Sequence, residues 1–362
     1  MSPLLAQGEF TYGNTRLRGR RVARLRADEL LELAARDLDG LYGALAATPY
    51  RTHVEAALAR GGGTVRLHEA IRAYQAAEIA LLRGFYTDRE RELVDLLLSS
   101  YDVANLVALL RAALGGTALA AAGADIVPVG AFSGAVLREL AHHHEPAALV
   151  ERLIAWRLPD VETARATSQA FARYERDQEL WRLEHAILTA HVTRVATRLA
   201  RLGDAARPLG DVLRRRIDER NLITALRARD ELDQRPLASL EAPWLPGGTA
   251  RPAALDAALR RPGAHDVAAA LAATVTGSAA KRALGAWALD GDLAAAEREL
   301  DNRRLLDEIA LFYRGDPLGV AVPVAACAEL ELEARNLRVL TEGAGLDLGP
   351  DELRGRLLLP TR

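Results

Sequence analysis

Apolar residues recur along most of the chain at three- and four-residue spacings and hardly anywhere at every second position. Val22, Leu25, Leu30, Leu33 and Leu41 follow this spacing, as do Leu67, Ile71, Tyr74 and Leu81. Such spacing lines one side of a helix with apolar groups. The punctuation agrees. Thr48-Pro49 has the form of an N-cap followed by proline at the first helical position, and Thr87-Asp88-Arg89-Glu90 has the spacing of a capping box. Gly115-Gly116 stops that helix. Gly61-Gly62-Gly63, Arg235-Pro236, Trp244-Leu245-Pro246-Gly247-Gly248 and Gly349-Pro350 mark further turns. The pattern predicts an all-α chain.

A longer period lies above the helical one. Asp102-Val103-Ala104-Asn105-Leu106-Val107-Ala108-Leu109 returns as Asp218-Glu219-Arg220-Asn221-Leu222-Ile223-Thr224-Ala225, and again as Glu333-Ala334-Arg335-Asn336-Leu337-Arg338-Val339-Leu340. The shared pattern is acid-x-x-Asn-Leu-x-x-apolar. The asparagines are 221 − 105 = 116 and 336 − 221 = 115 residues apart. After the first two copies comes a loop with proline and glycine, Val127-Pro128-Val129-Gly130 and Leu245-Pro246-Gly247, so the register extends beyond the motif. This spacing predicts three homologous helical units, 10–125, 126–241 and 242–362, in a three-lobed body with approximate threefold symmetry. A solenoid fits less well, because its repeats run to about 20–45 residues.

Within each copy the acid and the asparagine sit at i and i+3, on one helix face beside an apolar ridge. Two roles suit such a pair. It can form a hydrogen-bonded junction that locks the helix to its neighbours, since buried polar groups need partners. It can also line an axial surface that meets another protein. Asp102, Asn105 and Arg111, Asp218, Asn221 and Arg227, and Glu333, Asn336 and Arg338 are the candidate structural or interaction residues.

At 362 residues the chain exceeds the roughly 250–300 at which one core stops growing. Half its residues are apolar and 27% charged, as in an ordinary folded protein. A net charge of −2 does not favour a nucleic acid partner. Lys281 is the single lysine among 47 basic residues, which reads as coding bias. The single cysteine, Cys327, lies in an apolar stretch and reads as a small buried hydrophobe in a reducing compartment. The opening residues lack the basic and apolar regions of a secretion signal. The most apolar window, Thr117 to Leu137, is broken by Asp125, Pro128 and glycines, so no spanning helix is expected there.

Catalytic signatures are missing from the sequence. No G-x-x-x-x-G-K-[ST] loop is present to cradle a phosphate, and no H-E-x-x-H to bind zinc. Gly130-Ala131-Phe132-Ser133-Gly134 has its serine one place too late for a nucleophile elbow. Gly343-Ala344-Gly345 lacks the spacing and preceding strand of a dinucleotide loop. His142-His143-His144-Glu145 is the densest set of metal-ligating types. Neighbouring helical residues point about 100° apart and do not converge on one ion, so a solvated helix end is expected. No catalytic residue, cofactor or metal is assigned. Arg16 to Arg26 holds six arginines and no acid, either paired with acids elsewhere or facing anionic lipid or an acidic partner.

Several segments, in order, resemble the C subunit of the bacterial and archaeal V/A-type ATPase, the counterpart of the d subunit in the eukaryotic V-type enzyme. Tyr12-Gly13-Asn14-Thr15-Arg16-Leu17-Arg18-Gly19-Arg20 is similar to that family's opening Tyr-x-Asn-x-Arg-x-Arg-x-Arg. Glu299-Leu300-Asp301-Asn302, Gly315-Asp316-Pro317-Leu318 and Glu331-Leu332-Glu333-Ala334-Arg335-Asn336-Leu337-Arg338 resemble later family segments. The resemblance implies a funnel-shaped, all-helical, non-catalytic rotor subunit. It would sit peripherally on the cytoplasmic face of the membrane, between the proteolipid ring and the central shaft, without a transmembrane segment. The alternative from another class is a free-standing helical scaffold or ligand-binding module.

Overall fold

The computed structural model describes residues 9–116, 126–140, 142–143, 145–232, 244–275 and 278–359. No strand occurs among them, and the chain is all-α. It divides into two compact units, residues 1–159 with 308–362, and residues 160–307. The sequence-derived boundaries at 125/126 and 241/242 fall in or beside segments outside the described residues, as do the Arg235-Pro236 turn and His144.

The first unit contains α1 (Glu9–Arg20), a 3-10 turn (Arg21–Ala23), α2 (Ala27–Leu33), α3 (Leu38–Ala46), α4 (Arg51–Leu58), α5 (Thr64–Arg83) and α6 (Asp88–Leu114). α7 (Gly134–Leu140) and α8 (Pro146–Ala155) follow, and near the end of the chain come α16 (Leu311–Arg314), α17 (Ala321–Gly345) and α18 (Pro350–Arg356). α17 is its central helix. Alanine-rich and free of β-branched runs, it is apolar on every side from Ala321 to Ala328, and those residues are buried. A helix apolar all round belongs inside a core. Pro323 lies in its first turn, where the missing N–H costs no hydrogen bond. Cys327 is buried there, as its surroundings in sequence suggest. Leu67, Ala70, Ile71 and Tyr74 of α5 share a core with Ala334, Leu337 and Leu340 of α17, closed by Leu41 and Leu45 of α3 and Leu353 of α18.

The apolar stripes hold in part. In α5, Leu67, Ile71 and Tyr74 are buried, but Leu81 is 40% exposed and Glu78 is buried in its place. The stripe from Val22 to Leu41 is not one helix. The chain bends after Arg20 and again after Leu33, and Val22 is 91% exposed. α4 starts at Arg51, two residues past Pro49, and the Thr48 hydroxyl both donates back to Leu45 O and accepts from Tyr50 N at 3.2 Å, so it closes α3 and caps the turn into α4. α6 does start after Thr87, without a side-chain capping bond from it. By length and composition α6 is apolar enough to cross a bilayer, and 67% of its apolar stretch is buried inside the protein. Among the described residues it is the one helix that passes this test, and the first part of the window from Thr117 lies outside them.

The second unit contains α9 (Val161–Asp177), α10 (Leu180–Leu202), a 3-10 turn (Gly203–Ala206), α11 (Arg207–Leu232), α12 (Pro252–Leu259), α13 (Ala264–Thr274), α14 (Ser278–Asp290) and all but the last two residues of α15 (Leu293–Ile309). Asp160 caps α9, accepting from Thr163 N at 2.9 Å, and pairs with Arg194 of α10 at 3.0 Å. Leu222, Leu226, Leu255, Val267, Leu271, Leu284, Trp287 and Leu300 form the main core of this unit. His191 is buried in α10 and its Nδ1 has no hydrogen-bond partner. Burial first, and Arg194 second, push its pKa down to about 4, while Asp160 acts in the opposite sense.

That depression makes stability pH-dependent. An unfolded histidine takes its proton near pH about 6.5. Between that value and about 4, the unfolded chain binds a proton that the native one refuses. The contribution of His191 is therefore complete above the unfolded pKa and is lost as pH falls through the folded one. The expected loss is about 2 kcal/mol between pH about 7.5 and about 5. Denaturant titrations should show this loss in the wild type and its near-absence in His191→Leu; equal pH dependence in both would refute it.

Candidate functional site: three matched junctions and an arginine segment

The three repeated motifs sit on the long helices α6, α11 and α17, and their asparagines make the same contact. Asn105 Nδ2 donates to Val127 O at 2.7 Å while Val127 N donates to Asn105 Oδ1 at 3.0 Å. Asn221 holds Leu245 in the same two-point way, at 3.0 and 2.8 Å. Asn336 holds Leu358, at 2.9 and 3.0 Å. All three asparagines are 1% exposed. A side-chain amide presents one donor and one acceptor side by side, which matches the N–H and C=O of one extended residue. The clamped residues lie 22, 24 and 22 positions beyond their asparagines.

The acids three positions earlier extend the first two junctions. Asp102 Oδ1 accepts from Ala131 N at 2.8 Å. Asp218 accepts from Thr249 N at 2.8 Å and Ala250 N at 3.0 Å, and from the Thr249 hydroxyl. Both carboxylates face a glycine, Gly130 and Gly248, where a side chain would collide with them. The proline-and-glycine loops seen in the sequence are therefore the receptors of the motif acids.

Glu333 breaks this pattern. Its longer side chain turns to the beginning of the chain, accepting from Leu25 N at 2.8 Å and from the Tyr50 hydroxyl at 2.7 Å, with Arg24 at 4.0 Å. Burial raises the Glu333 pKa against the effects of Arg24, Tyr50 and Leu25 N. It also raises Tyr50 well above its usual value and Tyr74 to about 12. The Arg24 guanidinium is held above its ordinary pKa, since Glu333, Tyr74 and Glu78 outweigh the burial that opposes its charge.

Arg24 belongs to the arginine run, most of which the structure pairs within the first unit. Arg18 donates to Phe312 O at 3.0 Å. Arg20 and Arg24 share Glu78 of α5. Arg21 binds Glu329 of α17 at 2.9 Å, stacks on Phe312 and donates to the Tyr313 hydroxyl. Just ahead, Asn14 donates to Pro317 O and Gly319 O at 2.9 and 3.0 Å and accepts from the Tyr86 hydroxyl at 2.7 Å. The opening motif thus binds the Gly315-Asp316-Pro317-Leu318 segment some 300 residues away.

The remaining candidates are not in these junctions. Arg111 is exposed, Arg227 pairs with Glu297 at 2.7 Å, and Arg338 is half-buried near His68. His142 is exposed in the turn after α7, and His143 accepts from Arg152 at 3.3 Å. Among the described residues no three His, Cys, Asp or Glu side chains converge as a metal site requires. The sequence pattern did not single out Leu358 or the Tyr50–Glu333 bond. The first had a signal, since the 22-residue offset from Asn105 to Val127, counted from Asn336, ends on Leu358.

Segments that this architecture joins, from Gly13 through the third motif to Arg356, are those a known family shares. Residues 13–356 match the family of the ATP synthase (C/AC39) subunit. The chain belongs to that family. No curated protein matches it significantly. Membership of the C/AC39 family bears out the resemblance read from Asn14, Gly315-Asp316-Pro317-Leu318 and Glu333-Ala334-Arg335-Asn336. It makes the protein a subunit of a V/A-type ATP synthase complex. In this C/AC39 chain those motif residues are, by their contacts, intramolecular ties.

Proposed function

We propose that the protein is the non-catalytic central-stalk subunit of a V/A-type rotary ATPase or ATP synthase. It couples the rotor shaft to the membrane proteolipid ring, and ion transport depends on that coupling. Its place is the cytoplasmic face of the membrane, held there by protein contacts. Three homologous helical units, 10–125, 126–241 and 242–362, forming a three-lobed funnel, belong to the same proposal. Family membership over residues 13–356 is the observation that carries the reading. The matched junctions support it mechanically. An element that passes torque must not yield, and each junction fixes a long helix to the segment that follows it through two hydrogen bonds of one buried asparagine. The test is which membrane proteins co-purify with the tagged protein from its own host.

A further inference from the structure

Between Leu17 and Leu30, no residue of the first unit is fully buried. Phe10, Asn14 and Leu17 seat the segment on one side, Leu30 and Leu33 on the other. Val22 and Ala23, midway between, are exposed, and Leu25 is only partly covered. What holds this stretch down is mostly its arginines, with Leu25 against the core and Arg21 stacked on Phe312 beside them. Arg20 and Arg24 meet Glu78, Arg21 meets Glu329, and Leu25 N meets the Glu333 carboxylate. The underlying surface of α5 and α17 therefore carries three carboxylates in a groove that also presents the Tyr50 and Tyr74 hydroxyls.

The Arg20 and Arg21 side chains, 37% and 28% exposed, leave their ion pairs open to screening by salt, whereas buried apolar contacts are not screened. The two anchors and the span between them are held by different forces. We infer that residues 18–26 form a salt-releasable strap, which lifts from the acid-lined groove of α5 and α17 while both anchors and the helices beneath remain folded. The groove is thus a docking surface for an arginine-rich segment, occupied at low salt by the chain's own. This inference does not depend on the proposed coupling role.

Amide hydrogen exchange on the full-length protein, at salt from about 0.05 to about 1 M, tests it. The screening length falls over this range from beyond 10 Å to about 3 Å. Exchange within residues 18–26, the Leu25 amide above all, should accelerate about tenfold, while amides of α6 and of α17 between Leu330 and Leu340 stay constant. In Glu78→Gln, which removes the carboxylate shared by Arg20 and Arg24, the strap should already exchange quickly at low salt and respond less to added salt. A strap insensitive to salt, α17 accelerating in step with it, or a full wild-type salt response in Glu78→Gln would each overturn the inference.

Discussion

Asn221→Ala should destabilise the second unit by about 3 kcal/mol. The alanine leaves both the N–H and the C=O of Leu245 without their partner, and both bonds are buried. Each abandoned group costs about 1–3 kcal/mol. Water entering the gap would offset part of that sum. Asn221→Asp separates the bonding pattern from side-chain size. The carboxylate still accepts from Leu245 N but sets a negative oxygen against Leu245 O, so nearly the full loss should remain. Denaturant unfolding followed by fluorescence reads this directly, because Trp244 adjoins the clamped residue and donates to Asp256 at 2.8 Å. An Asn221→Asp protein as stable as the wild type would show that the amide fills space and does not clamp.

Gly130→Ala should cost about as much, for two reasons that a control can separate. Gly130 has φ 64°, a left-handed conformation that costs an alanine about 1 kcal/mol. The added Cβ would also lie 2.6 Å from Asp102 Oδ2 and 2.8 Å from its Cγ, so the carboxylate has to leave the Ala131 amide. Losing that charge-assisted contact adds about 2 kcal/mol. Gly116 has nearly the same φ, 62°, and a Cβ added there would meet no atom within 4 Å. Gly116→Ala should therefore cost about 1 kcal/mol. Thermal or denaturant unfolding of the pair checks the difference, and equal losses would mean that the Asp102 contact contributes little.

These junctions show which parts of the molecule are legible in a sequence. Helical periodicity identified the all-α class because each long helix buries a face of its own residues. The acid and asparagine spacing is legible for the same local reason, and the Pro-Gly loops after the first two copies mark where their acids bind. Legibility fails where a partner lies far along the chain. Glu333 reads like Asp102 and Asp218, yet its extra methylene carries it to Leu25 and Tyr50, about 300 residues upstream. The buried Glu78 breaks an apolar stripe because two arginines from the opening segment satisfy it, a pairing no local pattern contains. Val22 sits at an apolar position of the spacing and is nonetheless exposed, because the strap around it is held by its arginines.

A C/AC39 protein at work inside a rotary ATPase complex should co-purify with the rest of that machine. The tagged protein is expressed in its own host, membranes are solubilised gently, and each captured polypeptide is quantified. Recovery of the proteolipid, shaft and catalytic-head subunits in fixed ratios is the predicted result. A clean monomer, captured while the host's ATPase stays intact and lacks it, would rule out that role and favour a free-standing helical module.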